Sequence, residues 1–144
     1  MSAQNIYKSA SEVRSNWSIT LDSVVHKKPA FINRTHDHVT LMNLQLLIGL
    51  LEDYKYHITL EEEADKSVTG FLEELALVEN APTSEECIEK MVGAMKDYAL
   101  DYYEQFEYWS KAPNRISHIP YVLKLLISDD KSIEEDIICQ SGEN

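Results

Sequence analysis

The 144-residue chain is poor in the features that small secreted, membrane or catalytic proteins rely on. It holds two cysteines, Cys87 and Cys139, without C-x-x-C spacing, and no charged-then-apolar signal segment opens it. A disulfide framework is therefore not indicated, and a reducing cytoplasm is the expected location. The longest apolar stretch, residues 41–51, is interrupted by Asn43, Gln45 and Gly49 and is too short to cross a bilayer, so no membrane role is expected. Glycine and proline are also scarce, at four each, which with 44% apolar residues argues for a folded chain rather than a disordered one. A chain of this length can bury one good core, or two small ones if a dimer interface helps.

Positive charge is scarce as well, 13 basic residues against 25 acidic ones, and it is unevenly placed. Residues 1–52 hold five basic side chains (Lys8, Arg14, Lys27, Lys28, Arg34) and four acidic ones, about +1, whereas residues 53–144 hold eight against twenty-one, about −13. A polyanion would be repelled by the second half, so any nucleic-acid contact belongs to the first. The acidic half reads either as a surface for a partner of opposite charge or as a plain solvated surface.

Residues 4–8 read as a short strand, followed by Ser9-x-x-Glu12, a capping box able to satisfy the free amides of a helix start. The helix predicted there places Val13, Trp17, Leu21 and Val24 on one face and ends at Lys27-Lys28-Pro29. Ala30 to Asn33 and Val39 to Met42 have strand character around a polar turn at Arg34-Thr35-His36-Asp37. From Leu44 to Tyr54 the apolar residues recur at helical spacing. That stripe (Leu41, Leu44, Leu47, Ile48, Leu51) is broader than a surface helix needs and predicts a homodimer or higher even oligomer.

With Ser11-Glu12-Val13-Arg14-Ser15-Asn16-Trp17, the first half resembles the prevent-host-death (Phd/YefM) antitoxin family, which shows there a small or polar residue followed by Ala-Arg-x-Asn-Leu. The resemblance rests further on Pro29-Ala30-Phe31-Ile32-Asn33-Arg34, where the family has an apolar strand ending in Thr-Arg, and on Leu41-Met42-Asn43-Leu44, where it has Leu-Met-Ser-Leu. Two departures stand out: Trp17 replaces the usual Leu, and the turn Thr35-His36-Asp37-His38 lacks the usual Gly and is a residue short. The resemblance covers about a third of the chain. It implies a dimer that lays the start of its first helix on operator DNA, with Arg14 on bases or phosphates, Lys8, Ser9 and Ser11 on backbone oxygens, and Arg34 adding charge.

The second half alternates Tyr56, Ile58 and Leu60 with His57, Thr59 and Glu61, the period of a half-buried strand. A turn at Ala64-Asp65-Lys66 precedes strands over Ser67 to Leu72 and Leu75 to Val78. Asn80-Ala81-Pro82 is predicted to break the sheet, and Thr83-x-x-Glu86 to cap a long helix with Ile88, Met91, Val92, Met95, Ala99, Tyr102 and Phe106 as its core stripe. This order of three strands and a helix, with Thr83-Ser84-Glu85-Glu86-Cys87-Ile88 at the helix start, is similar to the HicB-like antitoxin domain, a degenerate ribonuclease-H-like fold. After Ala112-Pro113-Asn114, Ile119 to Leu126 reads as a helix and Ile133 to Cys139 as a strand or helix, with residues 141–144 frayed.

No catalytic constellation emerges. Glu61, Glu62, Glu63 and Asp65 form a run whose neighbours point to opposite faces and do not converge on one ion. His36-Asp37-His38 has no Cys or Glu partner at zinc spacing and reads as a turn. Cys87, in a first helical turn but without a His or Asp partner, reads as a core residue. GxSxG, P-loop and dinucleotide glycine motifs are absent from the sequence. Tyr98, Tyr102, Tyr103, Tyr108 and Trp109 could supply a partner-binding surface, although periodicity assigns half of them to the core.

The combined reading is an α+β protein without enzymatic activity, metal or cofactor. Residues 1–53 form a Phd/YefM-like strand–helix–hairpin–helix module for DNA binding and dimerisation. Residues 54–144 form an acidic HicB-like small antiparallel sheet with a long helix. It would act as the antitoxin of a type II toxin–antitoxin pair, neutralising a basic ribonuclease toxin through Glu61, Glu63, Asp65, Tyr103 and Trp109 and repressing its own operon. The alternatives are a dimeric acidic adaptor or inhibitor that never touches DNA, and, more remotely, a metal-dependent nuclease.

Overall fold

The computed structural model describes residues 5–142, which fall into two units, one up to Leu50 and one from Leu51. In the first unit, strand β1 (Tyr7–Ser9) leads into helices α1 (Ala10–Ser15) and α2 (Trp17–His26), then the hairpin β2 (Ala30–Arg34) and β3 (Asp37–Leu41), and helix α3 (Leu44–Leu50). The sheet order is β1-β2-β3, with β1 parallel to β2 and β2 antiparallel to β3. The strand expected over residues 4–8 thus runs from Tyr7 to Ser9, and residue 4 lies outside the described residues. The hydroxyl half of the expected capping box forms at its place: Ser9 Oγ accepts from the amide of Glu12 at 3.1 Å.

The single helix expected over residues 10–26 is instead two. Asn16 sits at φ −124°, ψ 37°, its backbone and side-chain nitrogens both donate to the Glu12 carbonyl at 3.1 Å, and the following turn restarts from its own carbonyl. An asparagine side chain that bonds the preceding turn offers the backbone an alternative to continuing the ladder. The buried residues Val13, Thr20 and Val24 are spaced by seven and four residues and keep one face, whereas Trp17 and Leu21, four and eight residues after Val13, drift off it and are exposed. The hairpin turn is only Thr35-His36, with Thr35 at a positive φ of 54°, and Arg34 and Asp37 pair across it. Helix α3 is shorter than the residue 44–54 stripe predicts. It ends at Leu50, and the chain turns over residues 51–53.

The second unit begins with three antiparallel strands, β4 (Tyr56–Glu62), β5 (Val68–Leu72) and β6 (Leu77–Ala81). The long helix α4 (Ser84–Glu104) follows, capped by Thr83, whose hydroxyl accepts from the Glu86 amide at 3.2 Å. Then come α5 (Phe106–Trp109), a 3-10 turn at Ile116–His118, α6 (Ile119–Ile127), α7 (Asp130–Glu135) and β7 (Ile137–Ser141). The last strand returns to lie parallel to β4, giving the order β6-β5-β4-β7, so the small sheet is mixed rather than purely antiparallel. Residues 143 and 144, within the segment expected to fray, lie outside the described residues, while Ser141 closes β7.

The third strand is displaced from its expected place at Leu75 to Val78. Leu75 turns inward to 2% exposure and Ala76 takes a positive φ of 54°, which closes the β5–β6 turn, and pairing resumes at Leu77 and runs through Asn80 to Ala81, so of the expected breaker only Pro82 lies beyond the strand. The core holds Tyr56, Ile58, Leu72 and Leu75 from the sheet side, Met91, Val92, Met95, Ala99 and Tyr102 from α4, and Val122, Leu125 and Ile133 beyond it. Each fully buried Met or Leu there contributes about 1.5–3 kcal/mol of apolar burial. Cys87 is wholly buried, as the core reading expects, and its burial pushes the thiol up rather than down. Its Sγ leaves no room for a side chain at position 70, where a Cβ on Gly70 would come within 2.9 Å of it.

An ionic hub joins the ends of this unit. Lys124, 6% exposed on α6, bonds the Tyr54 carbonyl at 2.6 Å and the Glu52 carbonyl at 3.4 Å and pairs with Asp136 at 2.9 Å. Asp136 also receives Lys55 at 2.6 Å. Burial works to raise the Asp136 carboxyl, but hydrogen bonds from Lys55 and Lys124 outweigh it and hold it below the usual carboxylate range.

Candidate functional site

The residues assigned to DNA by sequence lie in one region of the first unit. Lys8 and Ser9 are the last two residues of β1, and their register partners on β2 are Ile32 and Asn33, so Arg34 directly follows the residue opposite the helix cap. Lys8, Ser9, Ser11, Arg14 and Arg34 are all exposed. Arg34 is tied to Asp37 at 3.2 Å, but both side chains are largely solvated, and such a pair is held by only about 0–1 kcal/mol, little obstacle to exchanging Asp37 for another anion. Tyr7 packs beneath this edge, stacked on His38 at 4.5 Å and edge-on to Phe31 at 6.2 Å.

The residues assigned to a dimer contact are distributed unevenly. Leu44 is half exposed on α3, Leu41, Leu47 and Ile48 are half-buried, and Leu51 is buried and belongs to the second unit. Leu50, 62% exposed, takes its place at the end of the helix. The structure adds exposed apolar residues at four-residue intervals along α2: Trp17 and Leu21, which sequence periodicity puts in the core, and Val25. The side chain of Asn43 bonds the Val25 carbonyl at 2.9 Å, which brings the start of α3 to the end of that apolar row.

The residues assigned to a toxin contact occupy opposite ends of the second unit's sheet. Glu61 lies near the end of β4, with Glu63 and Asp65 in the turn to β5, all exposed. Asp65 is committed to that turn: its Oδ1 accepts from the Ser67 amide at 3.0 Å and hydroxyl at 2.5 Å, bonds that lower its pKa. No cluster of metal-ligating side chains forms among the described residues. Tyr103 is 62% exposed on the outer face of α4, and Trp109 is half-buried near the β5–β6 turn, at the other end of β4. Of the neighbouring tyrosines, Tyr102 is core, Tyr98 is half-buried and Tyr108 is exposed.

Beside Trp109 the structure assembles a group that sequence reasoning missed. Arg115 lies 5.1 Å from the Trp109 ring and 5.5 Å from the Tyr98 ring, and its NH1 donates to the Tyr98 hydroxyl at 2.7 Å. That hydroxyl lies 2.6 Å from His118 Nδ1, and the Arg115 carbonyl accepts from Tyr102 at 2.9 Å. One signal in the sequence pointed there: Arg115 is the sole arginine of the acidic half.

With this geometry in view, residues 5–139 match a family designated PHD-like and described as antitoxin of toxin–antitoxin, RelE/RelB, TA system. The chain is also similar to an antitoxin part of a candidate toxin/antitoxin system from Syntrophomonas wolfei subsp. wolfei, known from a crystal structure at 1.80 Å. The TM-score is 0.89 at 32% identity, over 94% of this chain and 99% of that one. No curated protein matches the chain significantly.

Proposed function

The chain belongs to this PHD-like family of toxin–antitoxin antitoxins, and from that premise we propose that it neutralises its toxin through the acidic second unit and represses its own operon by setting a dimeric first unit on operator DNA. As an antitoxin it is a regulatory protein that acts by binding a toxin, not an enzyme. Among the described residues no helix is long and apolar enough to cross a membrane. The finer likeness, a Phd/YefM-type first unit and a HicB-type second, belongs to the proposal and rests on the quoted motifs and on the element order.

The observation that carries the DNA role is the shared exposure of Lys8, Ser9, Ser11, Arg14 and Arg34 around one capped helix start, in the half of the chain that is not acidic. Doubling by two-fold symmetry gives a small cationic patch suited to phosphates, with Arg14 free to reach a base edge. The toxin role is supported by the −13 charge of residues 53–144, which suits a basic ribonuclease and steers its approach. A dimeric adaptor that never touches DNA is the second reading, favoured by the small number of cations and by the tie between Arg34 and Asp37.

Gel-shift titration with the promoter fragment upstream of the gene separates the two. Arg14→Ala should weaken binding by about 1–3 kcal/mol if Arg14 reads a base. Unchanged affinity removes that role, and absence of any shift by the wild-type protein selects the adaptor.

A further inference from the structure

The cavity of about 530 Å³ around Arg115 has a composition unusual for this half of the molecule. The half is strongly acidic, yet Arg115 forms no ion pair among the described residues, although Asp101 lines the same cavity. Only one of its guanidinium contacts is a protein hydrogen bond, to Tyr98. Among the described residues the sole side-chain polar atom both buried and without a partner is Asn33 Oδ1, in the first unit, so the remaining guanidinium nitrogens reach the cavity or solvent.

The Tyr98 hydroxyl accepts from Arg115 and lies 2.6 Å from His118 Nδ1, so it links the guanidinium to the imidazole. Burial, reinforced by the charge of Arg115, holds His118 below the ordinary histidine range, so the ring is neutral at pH 7. Trp109 and Asn114 also line the cavity, and the guanidinium carbon of Arg115 lies over the rings of both Trp109 and Tyr98.

We propose that this cavity is a binding site for a carboxylate carried on a flat apolar body, with the Arg115 fork as its anchor and the Tyr98–His118 pair holding that fork in place. A planar guanidinium matches a carboxylate in a two-point contact, and the aromatic walls fit an apolar body behind it. The carboxylate of a polypeptide terminus and that of a free aromatic acid share this chemistry. Asp101 at the rim disfavours ligands of higher negative charge such as phosphate.

The full chain labelled with ¹⁵N, titrated with benzoate and followed at the Trp109 indole N–H, tests the site; Trp109→Phe identifies that resonance. Benzoate should bind about tenfold to hundredfold more tightly than its uncharged counterpart benzamide, the range expected for charge-assisted hydrogen bonds. Arg115→Met should abolish the difference, and Asp101→Asn should tighten benzoate binding. N-acetylphenylalanine binding as well as benzoate points to a chain terminus, and benzoate alone points to a free acid; either upholds the site. Equal binding of benzoate and benzamide, no response to benzoate, or tighter binding of inorganic phosphate overturns it. The comparison within the wild-type chain stands even if Arg115→Met fails to fold.

Discussion

Neutralising Asp136 tests whether the second unit depends on its ionic hub. In Asp136→Asn the backbone contact from the Tyr56 amide to the carbonyl of residue 136, at 3.0 Å, is retained, and only the charge is removed. The ammonium of Lys124, whose side chain is 7% exposed, then faces the carbonyls of Tyr54 and Glu52 with no counter-ion. Stranding one member of a buried pair costs about 3–5 kcal/mol. The Asp136 side chain is 17% exposed and an asparagine oxygen still accepts, so the expected loss is about 2–3 kcal/mol. For a unit of this size that lowers the thermal midpoint by about 10–20 °C, read by circular dichroism at pH 7. Adding Lys124→Met removes the stranded charge and should restore at least half of the loss. The pH dependence has a fixed sign. Because the folded carboxyl titrates below its unfolded value, its contribution is complete above about pH 4 and disappears as the pH falls through the folded pKa, so the variant should show a flatter acid limb. A midpoint within about 3 °C of wild type, or a double variant as unstable as the single one, would refute the pairing argument.

Two further outcomes are expected. Solution scattering at micromolar concentration should give twice the 16.6 kDa chain mass, and Leu50→Glu, at the exposed end of α3, should shift it toward the monomer; a monomeric wild type removes the dimer and with it a two-fold operator. In co-expression, residues 54–144 should rescue growth from the product of a neighbouring toxin gene, with an association rate that falls as salt rises, whereas rescue by residues 1–53 alone would place the neutralising surface in the first unit.

What could be read from the sequence was local. Ser9-x-x-Glu12 and Thr83-x-x-Glu86 mark the helix starts because a cap is completed within four residues, and both hydroxyls accept as predicted. The alternation of Tyr56, Ile58 and Leu60 and the stripe from Met91 to Tyr102 survive for the same reason, since each period is fixed by its own element. The losses arise where a distant partner decides. Leu75 reads as a strand residue, but core packing and the left-handed Ala76 turn it inward. Nothing local marks Lys124 for burial in its apolar helix; residues 54 and 136, distant in the chain, close around it. Arg115 carries no local pattern, and its surroundings come from residues 98, 109 and 118 on separate elements. Trp17 and Leu21 fail differently: each step of four residues overshoots the 3.6-residue turn by about 40°, so the row counted from Val13 drifts off the face that Thr20 and Val24 keep.

The pairing of β7 with β4 has a consequence for how the protein is made. Tyr56 meets Ile137 across 81 residues, so β4 leaves the ribosome long before the strand that covers it. At about 5–20 residues per second the interval is roughly 4–16 s, during which β5 can pair with one side of β4 while the other side remains open to a neighbouring nascent chain. The first unit meets no such delay, because its sheet is closed by strands that all precede residue 42. A transcript broken, or a chain trimmed, between Glu135 and Ser141 would therefore yield a complete first unit joined to a sheet with a bare edge, a product suited to rapid removal by quality control.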